Sequence, residues 1–231
     1  MGSAATGEPP PKDYIRLYKL SKAEHALSSV AGSRIKVTRI FEANDPFELM
    51  ALNFRASTVR TAVAKYRTAE DSTNGLLCFS ADWTSPLLWS NYADSHRGIC
   101  LGFDVRRSFV EQVKYRDKRI RAELDDEDPD PYALSPKEQD LLRLTKCHEW
   151  KYEQEWRRVV PLSRAINEGG IFLYPFGDDV RLAEVIVGPN CGHPLDKVRS
   201  QVRRYHPAAM TFCARLAWQH FKVVPREKTV P

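Results

Sequence analysis

The chain has 231 residues, 42% apolar and 28% charged, with a net charge of +5. That length can bury a sizeable core, and no apolar run approaches the ~20 residues of a membrane-spanning helix, which excludes that class. Basic and acidic residues are intermixed, so the charge permits an anionic ligand without arguing for nucleic acid.

Residues 1–12, MGSAATGEPPPK, lack the apolar centre of a secretory signal and read as a disordered tail. A single domain is expected over residues 13–231. The five cysteines, Cys78, Cys100, Cys147, Cys191 and Cys213, are odd in number and widely spaced. Without a signal peptide they predict reduced thiols in a cytoplasm. Cys147-His148 and Cys191-Gly192-His193 lack the close cysteine pair that anchors zinc, so no metal is expected.

Tyr14 to Leu20 alternates as a strand does, and Ser21 with Glu24 reads as a capping box for a helix running to about Gly32. That helix should bury Ala23, Ala26, Leu27 and Val30. Arg34 to Thr38 reads as a second strand. Asn44-Asp45-Pro46-Phe47 is a turn, and Phe47 to about Ala69 is helix-like, with Leu49, Met50, Leu52 and Phe54 leading the apolar face.

Leu76 to Val105 carries most of the information. Leu76 to Ser80 reads as a strand, and Ser85-Pro86 starts a helix with serine at the cap and proline at the first turn. Leu87, Leu88, Tyr92 and Ala93 would form one face, with Trp89 beside it. Gly98 is expected to end that helix in a left-handed cap, and Ile99, Leu101 and Phe103 alternate along a second strand. The aromatic and arginine side chains at these bends make either core packing or a ligand pocket.

Val113 to Tyr115 reads as a short strand, and Glu123 to Pro131, ELDDEDPDP, as an exposed acidic loop. Pro136 to His148 reads as a helix with Leu141, Leu142 and Leu144 inward. Glu155 to Val160 is a strand stopped by Pro161, Ile171 to Tyr174 is a further strand, and Leu182 to Val187 is an apolar one. Leu195 to Tyr205 is an amphipathic helix, with Val198 and Val202 on one side and Arg199, Arg203 and Arg204 on the solvated one. Arg215 to Val224 closes the fold as an irregular apolar segment or a last strand. The sum is an α+β fold, with short strands in a split or mixed sheet interleaved with helices.

Phosphate loops, zinc-protease and serine-hydrolase motifs are absent. The sharpest polar constellation is Trp150-Lys151-Tyr152-Glu153-Gln154-Glu155-Trp156-Arg157. Carboxylates at spacing two on a strand share a face, and one lying among aromatics can act as a base or grip sugar hydroxyls. Alternatively Glu155 pairs with Arg157 or Arg97 and only fixes the fold.

Five blocks in order, LYKL (Leu17 to Leu20), FEANDPFE (Phe41 to Glu48), Leu77 to Val105, KYEQEWR (Lys151 to Arg157) and EVIVGPN (Glu184 to Asn190), resemble a bacterial family of unknown function, family 2971. The chain also resembles ADP-ribosyltransferase folds, which hold the nicotinamide riboside of NAD between a first-strand polar residue, a middle serine or tyrosine and a late-strand glutamate. Tyr18-Lys19 is similar to the first site, although Lys19 stands where those families use histidine or arginine. Ser90-Asn91-Tyr92 is similar to the second and Glu155 to the third, with Glu153-Gln154-Glu155 like the paired-glutamate motif of arginine-modifying members.

This likeness implies Glu155, Tyr92 and Lys19 as catalytic residues. It implies Tyr18, Lys19, Ser80, Trp89, Ser90, Tyr92, Arg97, Glu153 and Arg157 around NAD. The activity implied is ADP-ribosyl transfer to a protein or nucleic-acid acceptor, or NAD hydrolysis, in a bacterial toxin or phage-defence setting. A carboxylate there would stabilise an oxocarbenium-like state. The alternatives are a non-catalytic binding or interaction module and a nucleic-acid-processing protein.

Overall fold

A computed structural model describes residues 8–53, 57–120 and 136–226. Residues 1–7 of the expected tail, Phe54 and the acidic stretch 123–131 lie outside the described residues. In chain order the first elements are β1 (Tyr14–Ser21), α1 (Ala23–Gly32), β2 (Arg34–Lys36), β3 (Thr38–Arg39), α2 (Ser57–Thr73), β4 (Asn74–Ser80) and α3 (Pro86–Tyr92). They are followed by β5 (Ile99–Arg106), β6 (Glu111–Gln112), β7 (Lys114–Arg116), α4 (Pro136–Arg143), β8 (Thr145–Cys147) and β9 (Glu155–Pro161). The last are β10 (Ile166–Glu168), β11 (Ile171–Pro175), β12 (Val180–Val187), α5 (Leu195–Tyr205), β13 (Met210–Leu216) and β14 (Val223–Pro225). The fold class is α+β, with a mixed sheet. No described helix is long and apolar enough to cross a membrane.

The described residues form two compact units. One draws on residues 8–35, 79–110 and 174–226, the other on residues 36–53, 57–78, 111–120 and 136–173. In the first, the strand order is β14-β13-β12-β5-β1. β1 and β5 pair antiparallel from Tyr14↔Arg106 to Ser21↔Ile99. β12 runs antiparallel to β5 and parallel to β13, so this sheet is mixed. Ile99 to Phe103 of β5 is buried without alternation, as expected of a strand covered on both faces. Phe103 meets Phe79 and Phe176 edge-on at 5.9 and 5.2 Å, a favoured aromatic geometry. Helix α5 buries Val198 and Val202 and exposes Arg203 and Arg204, and its Gln201 donates to the Leu27 carbonyl of α1 at 3.0 Å.

In the second unit, α2 packs Val59, Val63 and Tyr66 with Ile40, Leu49, Leu52 and Leu142. β4 pairs antiparallel with β3, β6 pairs antiparallel with β9, and β7 pairs parallel with β8. The β10–β11 hairpin turns through Gly169 and Gly170 at φ 59° and 89°, a backbone region that favours glycine.

Several expectations are corrected. Ser21 is the last residue of β1, paired with Ile99, so Lys22 occupies the cap of α1 without a side-chain bond and no capping box forms. The sheet ladder outcompetes the local cap. Leu27 is only half-buried. The strand from Arg34 is interrupted at Val37, whose N–H donates instead to the Phe172 carbonyl at 2.8 Å.

Phe47 to Met50 is a turn, not a helix start. The Asp45 carboxylate accepts from the Phe47 N–H at 2.8 Å, Leu49 takes φ 59°, and Leu52 bridges to Ile120. Helix α2 therefore begins at Ser57. In α3 the buried face is Leu88 and Trp89, continued by Ala93, while Leu87 is 52% exposed and Tyr92 half-buried. Ser85 makes no side-chain cap bond.

Helix α4 ends at Arg143, because Thr145 to Cys147 pair with β7 instead. The closing segment is two strands, and β13 starts earlier than expected, at Met210. Gly98 is not left-handed. Asp94, Ser95 and His96 take positive φ in its place, at 47°, 52° and 71°.

Candidate functional site

Strand β9 brings Glu155 and Arg157 to one face, as alternation requires. Glu153 arrives differently, at the end of a 3-10 turn, with Gln154 left-handed after it. The two glutamates are therefore not at strand spacing, yet both reach Lys146 of β8, whose Nζ lies 2.7 Å from each. Arg157 is 1% exposed and Glu155 3% exposed.

Arg157 uses all five of its N–H donors. Nε and Nη2 donate to the two Glu155 oxygens at 2.9 and 3.0 Å. Nη1 and Nη2 donate to Glu48 at 2.5 and 3.3 Å, and Nη1 also donates to the Arg143 carbonyl at 2.7 Å. This is the bidentate fork that arginine forms with carboxylates.

Burial opposes the charge on Glu155, but Arg157 and Lys146 outweigh it and hold the carboxyl well below its ordinary range. Burial likewise opposes the charge on Lys146, and Glu155 and Glu153 outweigh it, so the ammonium stays protonated. Lys146 also lies 5.3 Å from the Trp150 ring centroid. The Tyr115 hydroxyl accepts from the Glu155 N–H at 2.7 Å, and burial pushes its ionisation up to about 12. In this arrangement both Glu155 oxygens are engaged by cations.

Lys19, Tyr18, Ser80, Trp89, Ser90, Tyr92 and Arg97 belong to the other unit. Lys19 is half-buried on β1, opposite Leu101. Ser80 is buried and donates to the Asp82 carbonyl at 2.8 Å. Trp89 is sealed in the core, its indole N–H donating to the Trp83 carbonyl at 2.6 Å. Ser90 is exposed, and Arg97 pairs on the surface with Asp94 at 3.0 Å.

The same unit holds a polar cluster that sequence reasoning missed. Arg16 donates to Asp104 at 2.6 Å and to Glu184 at 2.5 Å, across β1, β5 and β12. Burial pushes the Glu184 carboxyl above its ordinary range despite Arg16 and Tyr18. Alternation along β1 put Arg16 beside Tyr18, but nothing local pointed to Asp104 or Glu184 as partners. Among the described residues no group of three or more His, Cys, Asp or Glu is placed to hold a metal ion.

Residues 88–158 match the model of a family described as Protein of unknown function (DUF2971). No curated protein and no solved structure matches the chain. The comparisons lend the ADP-ribosyltransferase likeness no support.

Proposed function

We propose that this chain, which carries the family's domain over residues 88–158, is a non-catalytic binding module whose Glu155 holds the fold. The observation that carries this reading is the commitment of Glu155: it is 3% exposed, with Arg157 and Lys146 on its oxygens. A carboxylate that stabilises a cationic transition state must face the reacting atoms with charge to spare. One already neutralised by two cations in a buried cluster has little left to offer.

Exposed apolar surface supports the binding half of the reading. Between β13 and β14, Trp218 is 90% and Phe221 100% exposed. Large side chains so displayed contribute little to the core and suit contact with a partner.

The test is turnover of NAD by the purified chain and by Glu155→Gln. Neither protein is expected to release nicotinamide, and the variant should melt at a lower temperature because Arg157 and Lys146 lose a shared counter-charge. Nicotinamide release by the parent chain, lost in a Glu155→Gln variant that melts like the parent, would instead assign Glu155 to chemistry.

A further inference from the structure

The second unit contains a pocket of about 220 Å³ beside the ion-pair cluster. Its walls come from the Phe47–Met50 turn, from residues 116–119 at the end of β7, and from β8. Lys146 is among the lining residues, with its ammonium committed to Glu153 and Glu155. The rim carries three exposed cations, Arg116, Lys118 and Arg119, against one carboxylate, Asp117. Thr145 and Cys147 complete the lining from β8.

Phe47 is 49% exposed, and the Arg119 guanidinium lies 5.3 Å from its ring centroid. Such a pair is a platform for a flat ring, through stacking and cation–π attraction. Arg116 and Lys118 supply the positive charge that a phosphate needs. The volume lies below the ~300–1,000 Å³ of pockets that take drug-sized ligands, so one ring with one phosphate fits better than a dinucleotide.

We propose that this pocket binds a mononucleotide-sized anion, a planar heterocycle bearing a single phosphate. The ring lies on Phe47, and the phosphate faces Arg116 and Lys118. This deepens the binding half of the proposed function by supplying a ligand class, and it does not depend on the non-catalytic half.

Calorimetric titration of the full chain with adenosine monophosphate, adenosine and inorganic phosphate tests it. Adenosine monophosphate should saturate, with adenosine and phosphate each at least tenfold weaker. The double variant Arg116→Ala/Lys118→Ala should weaken adenosine monophosphate at least tenfold. The double variant changes only exposed side chains and should melt like the parent. Absence of saturable binding, phosphate binding as tightly as the nucleotide, or a double variant that binds like the parent would each overturn the proposal. Those outcomes leave the role of Glu155 untouched, whereas nicotinamide release from NAD would overturn the non-catalytic reading and leave this pocket standing.

Discussion

Arg157→Ala should destabilise the second unit by about 3–5 kcal/mol, the cost of stripping a buried charge pair of one partner. Arg157 is the hub of its cluster, donating to Glu155, Glu48 and the Arg143 carbonyl. Its removal leaves Glu48 and Glu155 buried, with the Lys146 ammonium still beside Glu155. Total stabilities are roughly 5–15 kcal/mol, so the loss is a large share of what holds a domain together. Thermal or urea unfolding reads it directly, as a fall in midpoint of roughly 6–20 °C for a chain of this size. A change below about 1 kcal/mol would mean that solvent reaches the cluster and screens it.

Gly98→Ala should be nearly as damaging, through packing. A Cβ at Gly98 would sit 2.1 Å from the Ser21 carbonyl oxygen and 2.9 Å from the Ala93 Cα. Both obstacles are backbone, so neither can swing aside. The Gly98 N–H donates to the Ala93 carbonyl at 2.7 Å, and its own carbonyl accepts from Gly188 at 3.0 Å, which fixes the glycine in place. Relief would require β1 to part from β5 at Ser21↔Ile99. The cost is expected at roughly 3 kcal/mol or more, at or beyond the upper end of overpacking effects. Gly192→Ala, where an added methyl meets nothing within 4 Å, is the matched control and should stay within about 0.5 kcal/mol. Equal unfolding midpoints for the two variants would show that the close approach at Gly98 relaxes cheaply.

These two positions also show where the sequence was legible. β9 and α5 were readable in place because their periodicity is strong and Pro161 stops the strand. The Glu155–Arg157 pair was readable too, since spacing two on a strand puts both side chains on one face. Glu48 was not, because it lies 109 residues from Arg157 and only the tertiary fold brings it there. Lys146 was missed because Leu141, Leu142 and Leu144 suggested a helix running on through it, whereas β7 claims Thr145 to Cys147 as a strand.

Gly98 was noticed for the wrong reason. An Arg-Gly step after a helix looks like a left-handed cap, but the glycine is needed for the approach of a distant carbonyl, which leaves no local trace. Trp89 was legible as important, and its full burial with an indole bond to the Trp83 carbonyl makes it a core residue of its unit.

The central claim, that the Glu155 carboxylate is committed to its cationic partners, is tested most directly by a double-mutant cycle on Glu155→Gln and Arg157→Met. Unfolding free energies of the parent, both single variants and the double variant give the coupling between the two side chains. A sealed pair predicts strong non-additivity, at least about 1–3 kcal/mol, with Arg157→Met alone costing more than the double variant because it strands a charged Glu155. Single effects that sum to the double within about 0.5 kcal/mol would mean the carboxylate is not held by Arg157, and would return Glu155 to the list of groups free to meet a substrate.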